Sequence, residues 1–273
     1  MEALRIVVEA KLSKQTQGFM MQLDLATTRL QWRRAIAAMM LVSCLAGGCD
    51  GSRPGTADVL LFAGMGTSPN DVRAIEALLA ARGIRYSRAG SAELDAMSAD
   101  ELRAHRLLIV PGGNFEEIGN HLAPTTSARI RDAVRGGLHY LGICAGAFLA
   151  GDSPYNGINL TGVRFRFYSA ESRGIRKAAV PISSPDAPTL EHYWEDGPEL
   201  SGWGEPIAKY PDGMPAVAQG MVGKGWTILA GVHPEAPENW RDGVTFTTPA
   251  SVDNAYVTTL IEAALEGRAL THY

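Results

Sequence analysis

From Asp58 onward, two patterns of apolar and polar positions alternate along the chain. Short continuous apolar runs, such as Val59 to Ala63 and Leu107 to Val110, are typical of strands buried on both faces of a parallel sheet. The segments between them carry apolar residues at helical spacing. This alternation predicts an α/β domain in which crossover helices join the strands of a mainly parallel sheet.

The first strand is followed by signals for a helix. Ser68 is placed to cap it, Pro69 suits its first turn, and Gly83 stands where it should end. The apolar face of this helix would be formed by four residues at helical spacing: Val72, Ile75, Leu78 and Leu79. These positions predict a β–α unit without reference to any other part of the chain.

Similar reasoning assigns the remaining elements. The predicted strands are Ile84 to Ser87, Leu107 to Val110, His139 to Ile143, Ala216 to Gln219 and Trp226 to Ala230. The predicted helices are a short one opened by the capping box of Ser98 and Glu101, then Ala128 to Arg135 and Ala255 to Leu265. The last two strands should pair across the turn Gly223 to Gly225. Tyr155 to Gly202 looks irregular, with strand-like pieces such as Val163 to Phe167.

Composition adds a limit on function. The chain has 273 residues, of which 46% are apolar and 20% charged, as in a globular protein. With 25 Lys and Arg against 29 Asp and Glu, the net charge is −4, and no dense basic run is present to neutralise several phosphates. Nucleic acid is therefore not expected as a partner.

The first 49 residues look like an export signal. Arg29, Arg33 and Arg34 precede the uncharged stretch Ala35 to Gly48, which is shorter than the ~20 apolar residues of a membrane-spanning helix. Residues 50–57 would then form a linker and residues 58–267 the domain. An uncleaved anchor is the alternative, as is a true start at Met20 or Met21, and a cytoplasmic location is the alternative to export.

Two cysteines lie at the end of the signal region. The sequence Leu41 to Cys44 resembles the lipobox of bacterial lipoproteins, and Ala46 to Cys49 is a rival site. Lipidation of either Cys44 or Cys49 would anchor the protein to a membrane on the periplasmic side. Cys144 would then be the one cysteine outside the signal, which leaves no disulfide framework.

Cys144 lies in the sequence Gly142 to Gly146, which has the form G-x-nucleophile-x-G. In such an elbow a strand ends in a strained turn and a helix begins at once, so that the nucleophile is presented at the tip. The open N–H groups and positive dipole end of a helix N-terminus favour a thiolate. A buried structural cysteine is the alternative interpretation.

His233 and Glu235 follow the last predicted strand. His233 is a candidate to accept the thiol proton, and Glu235 is a candidate to hold the imidazole and stabilise its charged form. Pro234 restricts the backbone between them. The sequence therefore predicts a Cys-His-Glu constellation built from residues about 90 positions apart.

Other histidines do not indicate a metal. His121, His139 and His192 are dispersed, and the sequence shows no cluster with metal-ligand spacing. We therefore predict neither a metal nor a cofactor.

Three motifs together resemble the class I glutamine amidotransferase superfamily: Gly142 to Gly146, the turn Pro111 to Gly113, and His233 to Glu235. Val110 to Gly113, Leu141 to Ala147 and Gly223 to Glu235 are in addition similar to the biotin-protein ligase N-terminal domain family. The resemblance covers Asp58 to about Leu265.

The resemblance implies a flavodoxin-like parallel sheet flanked by helices in three layers. It also implies that Cys144 is the nucleophile, His233 the base and Glu235 the orienting acid. The turn at Gly112 and Gly113 and the backbone of Ala145 would supply oxyanion donors.

The functional expectation is a cysteine-dependent amidotransferase-like or amide-hydrolase-like domain acting on a small-molecule or peptide amide. Asn114, Glu116 and Gly146 would line its pocket. We expect neither a synthetase domain to receive ammonia nor a biotin-ligase catalytic domain in this chain, so transfer from glutamine to a partner synthetase is a weaker option. A non-catalytic binding or scaffold lipoprotein with the same fold is the rival hypothesis.

Overall fold

The computed structural model describes residues 56–168 and 176–273. The strands in these ranges are β1 (Val59–Phe62), β2 (Tyr86–Ala89), β3 (Leu107–Val110), β4 (His139–Ile143), β5 (Arg166–Phe167), β6 (Lys177–Ile182), β7 (Leu190–Glu195), β8 (Pro198–Glu199), β9 (Glu205–Lys209), β10 (Pro215–Val222) and β11 (Gly225–Ala230). The α-helices are α1 (Pro69–Ala81), α2 (Ser91–Ala96), α3 (Ala99–Arg103), α4 (Phe115–Asn120), α5 (Pro124–Arg135), α6 (Ala145–Ala150) and α7 (Ala250–Glu266).

Seven strands form the central sheet in the order β2-β1-β3-β4-β11-β10-β9. The first five are parallel to one another, whereas β10 and β9 add an antiparallel edge. The order of the parallel part, with β11 in the fifth place, is that of the flavodoxin-like fold. In such sheets, ligands bind outside the carboxyl ends of the strands, where the strand order reverses.

Both faces of the sheet are covered by helices. Along β1, Val59 and Leu61 belong to one buried cluster, and Leu60 and Phe62 belong to the other. Helices α1 and α7 pack on the first face, while α5 and α6 pack on the second. The continuous apolar runs are thus explained, because successive side chains of a strand point to opposite faces and neither face meets water. The predicted three-layer α/β architecture is confirmed.

The capping signals act where the sequence predicts them. The Ser68 side chain accepts a hydrogen bond from the backbone of Asp71, and Pro69 is in the first turn of α1. Ser98 and Glu101 form both halves of a capping box at α3. Gly83 follows the end of α1 with a φ of 65°, a conformation that glycine adopts without steric cost.

Several predicted boundaries were wrong. Strand β2 begins at Tyr86 rather than Ile84. Helix α5 begins at Pro124, because proline suits the first turn of a helix. Helix α7 likewise begins earlier than predicted, at Ala250.

The segment interpreted as irregular contains order that the sequence did not indicate. Strands β6 and β7 pair as an antiparallel hairpin between Lys177 and Glu195, and only Arg166–Phe167 of the strand-like piece is a strand. Pro181 and the mixed polarity of both strands hide the alternation of apolar and polar residues that is typical of a strand. This explains why the sequence did not predict the hairpin.

The predicted export signal, the lipidation sites Cys44 and Cys49, and most of the linker lie outside the described residues. Within residues 56–168 and 176–273, no helix combines the length and apolar character needed to cross a membrane.

Candidate active site

Cys144 lies at the carboxyl end of β4, immediately before α6. Its φ of 49° and ψ of −103° are a strained conformation for a residue with a side chain. Its backbone N–H donates to the carbonyl of Ala230 at 2.8 Å, which continues the ladder between β4 and β11. Strand and helix therefore fix the backbone on both sides of the sulfur, as expected of a nucleophile elbow.

Gly146 allows this elbow to pack against the neighbouring strand. A Cβ atom at position 146 would lie 2.0 Å from the carbonyl oxygen of Val110 in β3. The Gly146 carbonyl also accepts a hydrogen bond of 2.7 Å from the buried hydroxyl of Tyr140. The second glycine of the motif is thus required by close backbone contact.

His233 reaches the same edge of the sheet from β11. Its backbone N–H donates to the carbonyl of Tyr193 at 2.8 Å, which ties the segment after β11 to β7. The Tyr193 ring also packs edge-on against the imidazole, with the ring centroids 5.9 Å apart. The imidazole is buried and held from two sides.

Two carboxylates meet the Nδ1 atom of His233. Glu235 Oε1 lies 2.9 Å from Nδ1 and forms a hydrogen bond with it, while Asp71 Oδ1 lies 3.1 Å from the same atom. Glu235 is 1% exposed and Asp71 is 4% exposed. Because Nδ1 faces these carboxylates, Nε2 is the ring nitrogen left for proton transfer.

Gly112 provides the space in which these groups meet. A Cβ atom at this position would lie 2.2 Å from Asp71 Oδ1 and 2.5 Å from His233 Cε1. The carbonyl of Gly112 accepts a hydrogen bond of 3.0 Å from the backbone of Ser68, just before α1. The turn after β3 therefore packs directly against the imidazole and one of its carboxylates.

The electrostatics favour a charged imidazole. Burial on its own lowers the pKa of His233, but the charges at Cys144, Glu235 and Asp71 outweigh it and raise that pKa well above its ordinary value. For Glu235, burial is the main cause and raises the pKa of the carboxyl group. Burial opposes ionisation of Asp71 too, yet the His233 imidazole and the hydrogen bonds to Asp71 hold the pKa of this carboxyl below its usual value.

A cavity of about 630 Å³ opens at this edge of the sheet. Both Cys144 and His233 line it, so these two residues border the same space although 89 positions separate them. Aromatic and acidic residues also line the cavity: Phe115, Phe148, Phe167, Glu116, Glu195 and Asp196. Burial is the main cause that raises the pKa of Asp196.

The predicted site residues occupy different layers around this cavity. Gly113, Asn114 and Glu116 line it together with Cys144 and His233. Asn114 has a second role, since its side chain caps α4 by accepting from the backbones of Glu116 and Glu117. The remaining three positions lie behind the surface of the cavity: Gly112, Ala145 and Gly146 are buried.

Asp71 is the site residue that sequence reasoning missed. It lies at the third position of α1, where an acidic residue is an ordinary helix-start signal. What distinguishes it is burial, since it lies on the side of α1 that carries Val72 and Ile75 into the core. An acidic residue next to the apolar face of a helix that follows the first strand was the available signal.

The same three side chains bear on the prediction that no metal is bound. Candidate ligand atoms of Asp71, His233 and Glu235 all lie within 4.8 Å of one another. Spacing along the sequence could not reveal this cluster, because its members come from α1 and from the segment after β11. The separations of 2.9 and 3.1 Å from Nδ1 are compatible with hydrogen bonds and ion pairs to a protonated imidazole.

Comparison with known proteins supports the family resemblance. Residues 57–175 match the family described as biotin-protein ligase, N terminal. The matched segment includes β1 to α6 and hence the Cys144 elbow, whereas His233 and Glu235 lie beyond it. No curated protein matches the chain in sequence.

Solved structures agree with the fold. A glutamine amidotransferase from Thermotoga maritima is 12% identical, with a TM-score of 0.51, over 77% of this chain and 100% of that one. A glutamine amidotransferase from Methylobacillus flagellatus is 13% identical, with a TM-score of 0.51, over 80% of this chain and 98% of that one. At such identities the likeness shows the fold alone. The chain therefore shares the fold of these glutamine amidotransferases, and its residues 57–175 match the biotin-protein ligase N-terminal family.

Proposed function

We propose that the domain is a cysteine-dependent amide hydrolase, with Cys144 as nucleophile and His233 as its acid–base partner. The observation that supports this most is that both side chains line one cavity while carboxylates contact the far nitrogen of the imidazole. A nucleophile, a base and a group that orients the base are the parts that covalent acyl chemistry requires.

The reaction begins with proton transfer from the Cys144 thiol to Nε2 of His233. The thiolate attacks the carbonyl carbon of the amide, and the resulting imidazolium returns its proton to the leaving nitrogen as the C–N bond breaks. Ammonia or an amine leaves, and a thioester remains on Cys144. His233 then removes a proton from water, the hydroxide attacks the thioester, and the carboxylic acid is released with the thiol restored.

Backbone N–H groups would stabilise the negative oxygen of the tetrahedral intermediate. The N–H of Ala145 belongs to the first turn of α6, where backbone donors have no partner within the helix. Gly113 lines the cavity and is assigned the second donor, and the neighbouring Gly112 is part of the same turn. Such donors contribute about 2.7–4 kcal/mol to acyl transfer in other hydrolases.

The cavity suits a small molecule or the end of a peptide. A volume of about 630 Å³ lies within the range of about 300–1,000 Å³ that is usual for small-ligand sites.

The proposal is tested by the pH dependence of alkylation at Cys144. The ordinary pKa of a cysteine thiol is about 8.5. A Cys144 thiolate that is paired with an imidazolium should react with iodoacetamide well below this pH. We expect His233→Ala to move the profile of Cys144 up to that range. A wild-type profile that already follows an ordinary thiol would overturn the proposal.

A binding module that retains the elbow without turnover is the second candidate function. The burial of Cys144, which is 6% exposed, is the observation that favours it. Release of ammonia from a panel of free and peptide carboxamides, absent in Cys144→Ala, would exclude this candidate. A low-pH thiolate without release from any member of the panel would favour it.

For the N-terminal region we propose export and lipidation at Cys44 or Cys49, on the sequence pattern described above. Expression in a bacterial host with a labelled fatty acid should label the wild-type protein. Replacing the true site by serine should abolish the label and replacing the other cysteine should not. Labelling that survives replacement of both residues, or no labelling of the wild type, would contradict this assignment.

A further inference from the structure

The carboxyl groups of Asp71 and Glu235 both contact Nδ1 of His233. The proposed hydrolase needs only one of these two groups to be charged. We propose that Asp71 is the anionic partner of the His233 imidazolium, and that Glu235 is a protonated hydrogen-bonding partner that orients the ring. This inference rests on the proposed function, because it concerns the ion pair that activates Cys144. It makes Asp71 a positioning residue that acts through His233.

The geometry distinguishes the two contacts. Glu235 Oε1 has hydrogen-bond geometry to Nδ1 at 2.9 Å, whereas Asp71 Oδ1 lies 3.1 Å from Nδ1 and has no hydrogen-bond partner among the described residues. Glu235 therefore accepts the Nδ1 hydrogen, which its carbonyl oxygen does equally well in the protonated form. The contribution of Asp71 to Nδ1 is its charge.

The surroundings allow one negative charge more readily than two. Both carboxyl groups are buried, and neighbouring carboxylates that share a buried site do not both ionise readily. Glu235 Oε2 is buried with no hydrogen-bond partner among the described residues, so a full charge would be uncompensated on that oxygen. Asp71 Oδ1 also lacks a hydrogen-bond partner there, but it lies 3.1 Å from Nδ1 of the imidazolium, whose charge compensates its own. A protonated Glu235 removes this cost.

Asp71 is better placed to keep the charge. It lies in the first turn of the 13-residue helix α1, whose N-terminus favours a negative side chain. Asp71 also lines the cavity, whereas Glu235 is not among the residues that line it. The pKa directions agree with this division, since burial of Glu235 raises the pKa of its carboxyl group and the contacts of Asp71 leave its pKa lowered despite burial.

The remaining titratable groups near His233 do not change this assignment. Tyr193 donates its hydroxyl hydrogen to Glu195 at 2.5 Å, so this phenol is engaged away from the pair. The Cys144 sulfur is 3.8 Å from the carbonyl oxygen of Glu195 and is the group whose proton His233 accepts in the proposed reaction. Neither offers a positive charge to a second carboxylate.

The test compares the pH profile of Cys144 alkylation by iodoacetamide in Asp71→Asn and Glu235→Gln. Both substitutions preserve shape and remove one possible charge. We expect Glu235→Gln to keep the low-pH reactivity within about threefold, because the amide oxygen still accepts from Nδ1. Asp71→Asn should lower the rate at pH 6 at least tenfold and shift the profile towards that of an ordinary thiol.

Controls separate a charge effect from loss of structure and from failure of the proposed function. Asp95→Asn is the matched control, because Asp95 is a half-buried carboxylate that accepts from the Ala123 backbone outside the cavity. Circular dichroism checks that each variant folds, and Asp71→Glu should restore part of the low-pH rate. If Asp71→Asn is unaffected while Glu235→Gln loses its reactivity, the inference is wrong and the proposed function stands. If the wild type itself lacks a low-pH thiolate, the proposed function fails first.

Discussion

Replacing Gly112 by alanine tests how closely the turn after β3 is coupled to the imidazole. The new methyl carbon would lie 2.2 Å from Asp71 Oδ1 and 2.5 Å from His233 Cε1, far inside van der Waals contact. The φ of Gly112 is not in the left-handed region, so the strain on adding a methyl group comes from this clash. Relief requires that Asp71, His233 or the turn itself moves.

The expected cost follows from the packing. His233 and Asp71 are both buried, so the side chains have little room to move, and overpacking of this kind costs about 1–3 kcal/mol. With an m-value of about 2 kcal/mol/M in urea, the midpoint should fall by about 0.5–1.5 M. A displacement of about 1 Å at a reactive site lowers the rate about 100-fold, which corresponds to about 2.7 kcal/mol. We therefore expect the rate of Cys144 alkylation at pH 6 to fall by a factor of about that size.

Gly220→Ala is the control for this substitution. Its Cβ atom would find its nearest neighbour 3.4 Å away, at Trp203, which is ordinary contact. Urea unfolding and the alkylation profile should both stay close to those of the wild type. If Gly112→Ala matches Gly220→Ala in both measurements, the turn does not hold the imidazole as described.

Three further predictions concern stability. Tyr140→Phe should cost about 1–3 kcal/mol in urea unfolding, because the buried Gly146 carbonyl loses its donor; an unchanged midpoint would contradict this. Arg241→Met should cost about 3–5 kcal/mol, since it leaves the buried Asp253 without its 2.5 Å partner, and a loss below about 1 kcal/mol would refute a structural role for the pair. The folded-state pKa of Glu235 is raised, so its contribution to stability falls as the pH rises above the unfolded value of about 4.5. The free energy of unfolding of Glu235→Gln, relative to that of the wild type, should therefore be higher at pH 8 than at pH 5. If the difference between the two proteins is the same at both pH values, the pKa of Glu235 is not raised in the folded state.

The alternation of buried runs and helical faces was sufficient to predict the three-layer fold. This pattern predicted β1, β3 and β4 correctly, because these strands are buried on both faces and therefore consist of continuous apolar runs. It failed for the β6–β7 hairpin, whose strands are partly exposed and carry Pro181. Partial burial weakens the contrast between faces on which such predictions depend.

The site was predictable where local backbone chemistry encodes it. The glycines around Cys144 are forced by contacts such as that of Gly146 with Val110, so the elbow is visible in the sequence. The place of Asp71 in the site could not be predicted from the sequence, because its contact with His233 joins α1 to the segment after β11 and depends on tertiary structure alone. A carboxylate in the first turn of a helix has the same local signature whether it meets solvent or an imidazole.

The most direct test of a Cys144–His233 ion pair is a titration of the thiolate absorbance in the ultraviolet. Subtracting the spectrum of Cys144→Ser isolates the signal of this cysteine from those of Cys44 and Cys49. The account predicts that the thiolate of the wild type persists to at least two pH units below the ordinary value of about 8.5, and that His233→Ala abolishes this low-pH signal. A single transition near 8.5 in both proteins would contradict it.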